Sequence, residues 1–225
     1  MCGRFVLATP VEALAEIFEA RILGTVAATP LRPSWNVAPT TGVYLVRRSP
    51  SGGRELAVAH WGLVPQWAPD TRRAANAINA RLETLDAKPT FRHLLAHHRC
   101  VVPMDGYYEW ATVGGGRAPW FVHRGDGRPL AAAGLWSRWG DGLETCTVIT
   151  RDAAPRLAEI HHRMPVLLDH GDVAEWLEAP ALPRHLCDAA SDTGLEMHRV
   201  SSRVNAVRHD DEQLLDPIDP ETLFG

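Results

Sequence analysis

The chain has 225 residues, 45% hydrophobic and 22% charged, a globular composition that excludes a disordered chain and is long enough to bury a core without disulfides or structural metals. Formal net charge is −4, which excludes a uniformly polycationic nucleic-acid binder. The average hides an asymmetry, since residues 1–140 carry 16 basic and 10 acidic groups (net +6) and residues 141–225 carry 7 and 17 (net −10). In chain order, Thr9 and Glu12 read as a capping box with Pro10 at the first helical position. The helix they would start has Leu14, Ile17 and Phe18 on one face. Short runs rich in β-branched and aromatic residues predict strands near 43–47, 56–62, 99–103, 106–110, 119–123, 130–136, 144–149 and 164–168. Gly-rich stretches at 51–53 and 114–116 fall between such runs and read as hairpin loops, and Asp105-Gly106 reads as a turn between two strands. Further helices are predicted near 85–96, 153–159 and 172–178, and the chain beyond about 209 reads as an acidic, irregular tail. The pattern predicts an α+β fold in which a curled, barrel-like, mostly antiparallel sheet is flanked by helices, with residues 1–225 as a single domain.

No run of about 18 apolar residues suggests a membrane span, and the N-terminus lacks a basic leader followed by an apolar core. Four cysteines (Cys2, Cys100, Cys146, Cys187) are widely spaced and make no CxxC pair, so neither a disulfide framework nor a cysteine zinc site is expected. His97, His98 and Cys100 match no zinc spacing, and no metal or other cofactor is expected. These features point to a cytoplasmic, monomeric protein.

The chain opens Met1-Cys2-Gly3-Arg4. Methionine is removed before small residues, which would leave Cys2 with two nucleophiles on one residue, an α-amine of pKa about 7.7–8 and a thiol of about 8.5. A 1,2-aminothiol condenses with an aldehyde to an imine, and its thiol then closes a five-membered thiazolidine. Lys88 is the only lysine, so the chain offers few other amines for such chemistry. Asn79-Ala80-Arg81 and His161-His162-Arg163 each set a polar or titratable group two residues from a guanidinium, on one face if the segment is extended. Taken singly, such residues are more often turn caps, solvated charges or a surface histidine pair. Glu109 is embedded among aromatics, where burial would raise its pKa toward neutrality, though an edge-strand glutamate paired to an arginine has the same sequence. Strict alternation sends Glu109 and Trp110 to opposite faces, so both can line one site only through a bulge or strand end. Eight tryptophans are many for this length; stacking platforms for unpaired bases need such groups, and core packing explains most of them.

The ordered motifs MCGRF (1–5), WNVAPT (35–40), WGLVPQWA (61–68), NARLET (79–84), RCVVPMDGYYEW (99–110), GLW (134–136) and HHRMPVLL (161–168) resemble the SRAP family, the SOS-response-associated peptidase fold. The resemblance spans about three quarters of the chain. It implies a DNA-damage sensor that crosslinks covalently to abasic sites in single-stranded DNA, located in the cytoplasm and at the nucleoid when bound. Strand-cleaving lyase activity and self-removal of Met1 are implied as accompanying activities. By the same resemblance Cys2 is the nucleophile, Asn79 stabilises the linkage, Glu109 acts on the deoxyribose and His161, rather than His162, is the general acid–base. Arg4, Arg81, Thr150 and Arg163 are placed at DNA phosphates, and Asn36, Pro39, Trp67 and Trp110 near the nucleotide or the splayed strand. Two rivals differ in chemistry. An N-terminal-nucleophile glutamine amidotransferase also begins Met-Cys-Gly but needs Asn-Gly and Arg-Gly-Pro segments that this chain lacks where they should fall. A non-covalent single-stranded nucleic-acid module would need the arginines and tryptophans but not Cys2, Asn79, Glu109 or His161.

Overall fold

The computed structural model describes residues 2–72, 74–188, 192 and 194–218. Fourteen strands carry it: β1 (Arg4–Leu7), β2 (Ala20–Ile22), β3 (Ser34–Val37), β4 (Gly42–Arg48), β5 (Arg54–Trp61), β6 (Asn79–Arg81), β7 (Arg99–Met104), β8 (Gly106–Val113), β9 (Gly116–Arg124), β10 (Leu130–Trp139), β11 (Leu143–Asp152), β12 (Arg163–Pro165), β13 (Leu167–Leu168) and β14 (Leu195–Arg199). Strands β11, β10, β7, β4 and β5 follow one another by antiparallel pairing. A parallel contact of Thr145 and Cys146 with His60 and Trp61 then joins β11 to β5 and closes a five-stranded barrel. A second sheet runs in the order β14-β9-β8-β1-β3. The fold is α+β with a barrel-like, mostly antiparallel sheet, as the sequence pattern predicts.

Why these residues close a barrel is visible in their burial. Val43, Leu45, Cys146 and Val148 on one face of these strands, and Leu56, Val101, Ala133 and Leu135 on the other, are all at most 1% exposed, so the barrel strands are buried on both faces. Phe5 of the second sheet packs edge-on to Trp61 of the barrel, with ring centroids 4.8 Å apart, so both sheets share one core. The opposite face of the second sheet (Val6, Tyr108, Phe121) is covered by the C-terminal segment through Val200, Val204 and Leu214.

Three local readings change. The first helix runs Val11–Ile17, but the Thr9 hydroxyl does not cap it. Thr9 instead bonds the carboxylate of Asp105, which also accepts from the backbone N–H groups of Ala8 (2.6 Å) and Thr9 (2.9 Å). Asp105 therefore marks not a hairpin turn but the corner where the chain leaves the barrel (β7) for the second sheet (β8), pinned to the end of β1. The helix predicted at 85–96 contracts to a helical turn at Pro89–Arg92, and those at 153–159 and 172–178 to Pro155–Ala158 and Val173–Glu178. Of the acidic segment after 209, residues 210–218 are anchored, and 219–225 lie outside the described residues. Asp210 accepts from Trp35 N–H (2.5 Å), Asp211 pairs with Arg203 (2.7 Å) and Leu214 is fully buried. The 114–116 loop is the tightest of hairpins, with Gly114 and Gly115 at φ +57° and +81° between Val113 and Gly116, a turn that only residues free of a Cβ penalty adopt readily. No helix of the described residues is long and apolar enough to cross a membrane.

Candidate active site and strand-binding groove

The site lies where the two sheets meet. Cys2 directly precedes β1, whose Arg4 lies opposite Tyr108 on β8, which brings the start of the chain beside Glu109. From the barrel, β11 holds two short strands on its two edges. Val148 faces Asn79 of β6, and Asp152 faces Arg163 of β12. Trp61, fully buried, donates its indole N–H to Ile78 O (2.9 Å) and so fixes the residue before Asn79. The next residue, Gly62 at φ +139°, lies so close to Ala74 that a Cβ would fall 2.7 Å from its carbonyl oxygen, which is why the WGLVP segment needs glycine there.

Cys2 is completely buried, and Asn79 donates its side-chain N–H to the Cys2 carbonyl at 2.7 Å. The other side-chain atom of Asn79, Oδ1, is buried with no partner among the described residues. Glu109 is 3% exposed and its Oε1 lies 4.0 Å from His161 Nδ1. That same Nδ1 lies 3.0 Å from the backbone N–H of Arg163 and 3.3 Å from its carbonyl oxygen, so it accepts from the first in one ring tautomer and donates to the second in the other. His162 is exposed and stacks on His161, with centroids 4.3 Å apart.

Burial sets the electrostatics. It raises the Glu109 carboxyl above its ordinary value and lowers the His161 imidazole below its own, favouring the uncharged form of each. It also raises the Cys2 thiol far above the usual range, reinforced by the Glu109 charge. A buried carboxyl, an imidazole, a buried thiol and an open amide acceptor therefore converge, a set able to carry proton transfers to and from a group held at Cys2. Among the described residues no cluster of three or more His, Cys, Asp or Glu could hold a metal ion.

The expected alternation of Glu109 and Trp110 is resolved without a bulge. The β8–β9 register runs unbroken from Gly106–His123 to Val113–Gly116. Glu109 faces the buried side with Cys2, whereas Trp110 faces the other side of β8, against the cluster of Val6, Tyr108 and Phe121. There, Gly3, Arg4, Pro39, Trp110, Arg117 and Asn205 line a groove of about 470 Å³. Trp110 is held by its indole N–H on Asn205 Oδ1 (2.7 Å).

The remaining sequence candidates separate into two groups. Arg4 and Pro39 line the groove and Arg81 is exposed beside β11. Trp67 is 67% exposed and borders a different cavity, about 790 Å³, whose wall includes Pro65, Lys88 and Phe91. Asn36, Thr150 and Arg163 are buried, and the Thr150 hydroxyl and Arg163 Nε have no hydrogen-bond partner among the described residues. Asn36 donates to the carbonyls of Val204 (3.2 Å), Ala206 (3.3 Å) and His209 (2.8 Å) and accepts from Arg4 Nη1 (2.9 Å). It thus clamps the C-terminal segment and Arg4. Asn36→Ala should cost about 3 kcal/mol, read as a lower urea midpoint, because four partners lose their bond at a buried position. Arg163 is 6% exposed. Its guanidinium is spent on Glu83 (2.9 and 3.0 Å), Asp152 (2.7 Å) and Thr150 O (2.7 Å), and what it offers the site is its backbone beside His161 Nδ1. Thr150 is wholly buried between β6 and β12. Sequence reasoning missed Arg117 and Asn205. The first was readable from the two-residue turn, which puts Arg117 opposite Thr112, on the same side of the hairpin as Trp110.

The family model for SOS response associated peptidase (SRAP) matches residues 1–207. The chain belongs to the SRAP family. Relatives include the abasic site processing protein YoaM of Bacillus subtilis, 34% identical with 96% of this chain and 98% of that protein aligned. Another is the abasic site processing protein YedK of Escherichia coli, 30% identical over 97% and 100%. A crystal structure of a Bordetella bronchiseptica protein superposes with a TM-score of 0.75 at 27% identity, covering 89% of this chain and all of the other. One from Bacteroides thetaiotaomicron reaches 0.85 at 22% identity over 96% and 100%, which shows that the SRAP fold is shared.

Proposed function

We propose that this SRAP protein senses abasic sites in single-stranded DNA and joins them covalently through Cys2, shielding the lesion. The observation that carries the reading is the convergence of Asn79, Glu109 and His161 on a buried residue at position 2. The relatives named for abasic site processing support the same substrate. A binding module needs none of these four groups behind its groove, and the amidotransferase reading has no support from the family.

Removal of Met1, by an aminopeptidase or by the site itself, frees the Cys2 α-amine. The ring-opened deoxyribose presents an aldehyde. The amine nitrogen bonds to its carbon and one water leaves, giving an imine; the thiol sulfur then bonds to that carbon while the thiol proton passes to nitrogen, closing a thiazolidine. The order follows from burial, because a thiol held protonated is a poor first nucleophile and the amine is the better one. Glu109 gives a proton to the sugar ring oxygen as the ring opens, regains one from the anomeric hydroxyl that becomes the aldehyde, and gives that one to the carbinolamine hydroxyl as water departs. His161, neutral, relays protons at the amine. Asn79 Oδ1 accepts from the N–H of the finished ring. Proton abstraction next to the imine would give strand cleavage as a side activity. Arg4 and Arg81 meet phosphates, and Trp110 and Trp67 offer faces to unpaired bases.

The test uses a single-stranded oligonucleotide bearing one uracil, converted to an abasic site by uracil-DNA glycosylase. Purified protein lacking Met1 should give a heat-stable band shift on a denaturing gel, absent with the untreated oligonucleotide and with Cys2→Ala. Equal crosslinking by Cys2→Ala, or none by the wild type, refutes the proposal.

A further inference from the structure

The groove behind Trp110 contains a cation that no motif points to. Arg117 stands on β9 directly opposite Thr112, one pair beyond the Val113–Gly116 turn, and lines the groove with Arg4, Pro39 and Trp110. Its side chain is exposed, and it makes no salt bridge or side-chain hydrogen bond among the described residues. That contrasts with two of the other arginines close to the site. Arg163 is spent on two carboxylates, and Arg4 has Nη1 committed to Asn36 and Val204 O. Arg117 is also near enough to the reacting groups for its charge to act on both Glu109 and His161. An open guanidinium beside an aromatic face, one strand from the reacting residue, fits a phosphate of the backbone that carries the lesion.

We infer that Arg117 makes a DNA phosphate contact in the Trp110 groove. The inference rests on the single-stranded DNA reading above but not on the crosslinking chemistry, so it is tested on DNA without a lesion. The affinity of the full-length protein for an intact single-stranded oligonucleotide is measured across a salt series by fluorescence anisotropy, for wild type, Arg117→Gln, Arg117→Lys and the remote exposed control Arg48→Gln. Loss of one contact should make the slope of log affinity against log salt shallower by about 0.7. Affinity at low salt should fall about tenfold, the scale of one hydrogen-bonded charge. Arg117→Lys should restore the slope, because it restores the charge, while Arg48→Gln leaves both quantities unchanged. An unaltered thermal midpoint for Arg117→Gln would separate the effect from misfolding. Wild-type slope and affinity in Arg117→Gln overturn the inference even if abasic DNA is crosslinked. Conversely, a shallower slope with no crosslinking by the wild type upholds the phosphate contact and refutes the covalent reading. A wild type that binds no single-stranded DNA overturns both.

Discussion

Cys2→Ser should form an adduct that borohydride traps and heat destroys. Serine keeps the α-amine, and as a small residue it still permits removal of Met1, so condensation with the abasic aldehyde proceeds as far as the imine. A hydroxyl is a far weaker nucleophile than a thiol and does not close the ring, so the product stays open to hydrolysis. The wild type should need no reductant to survive heating, whereas the serine variant should give a band only after reduction. The buried position explains why the difference should be large. The thiol is held protonated by its surroundings, so its contribution is the second bond, made to a carbon already tethered by the amine at very high effective concentration. A serine adduct as heat-stable as the wild type would refute ring closure. A serine variant with no trappable adduct would refute attack by the amine.

Glu109→Gln should slow adduct formation by about 10²–10³-fold, the range of a positioned general acid, and remove one limb of the pH dependence. Burial raises the Glu109 pKa, so wild-type activity that needs its proton falls as pH rises through a value above the ordinary carboxyl range. Burial lowers the His161 pKa, so activity that needs the neutral imidazole rises through a value below the ordinary histidine range. With only 4.0 Å between Oε1 and Nδ1 the two titrate as a pair, and single-turnover rates across pH should show one fewer ionisation in the glutamine variant. Stability should move the other way. A carboxyl whose folded pKa is raised stabilises fully below its unfolded value, and that contribution is lost as pH rises through the folded value. Glutamine removes the burial of a charge, so the melting temperature near neutrality should rise, and the gain should vanish in acid. A glutamine variant both as fast as wild type and no more stable would remove Glu109 from the mechanism.

Much of this was legible in the sequence because strands leave a short-range record. The eight predicted runs lie on strands of the two sheets, since buried β-branched and aromatic residues repeat there without interruption. The three-residue strands β2 and β6 left little pattern, and their pairing comes from distant partners. Asn79, Glu109 and His161 could be singled out by residue type and motif order. Their distances could not, because β6 and β12 meet only through opposite edges of β11. Thr9 shows how a local rule loses to a tertiary one, since Asp105, 96 positions away, takes the hydroxyl that a capping box would use. Arg163 and Asn36 show the converse. A polar side chain in a ligand-like motif can be spent on holding the fold, and its partners rather than its burial reveal this, since Cys2 and Glu109 are buried as deeply.

The unbroken pairing of β8 with β9 has a consequence for how this protein could change. Glu109 is kept in place by β1 on one edge of its strand, while Arg117 depends on the length of a two-residue turn on the other. One residue inserted at Gly114-Gly115 would slide β9 and turn Arg117 away from the groove, leaving Cys2 and Glu109 on their own pairing. On the proposed reading, preference among DNA strands, such as tolerance of a neighbouring duplex or of a different backbone, can therefore drift through the hairpin tip without a change at Cys2 and Glu109.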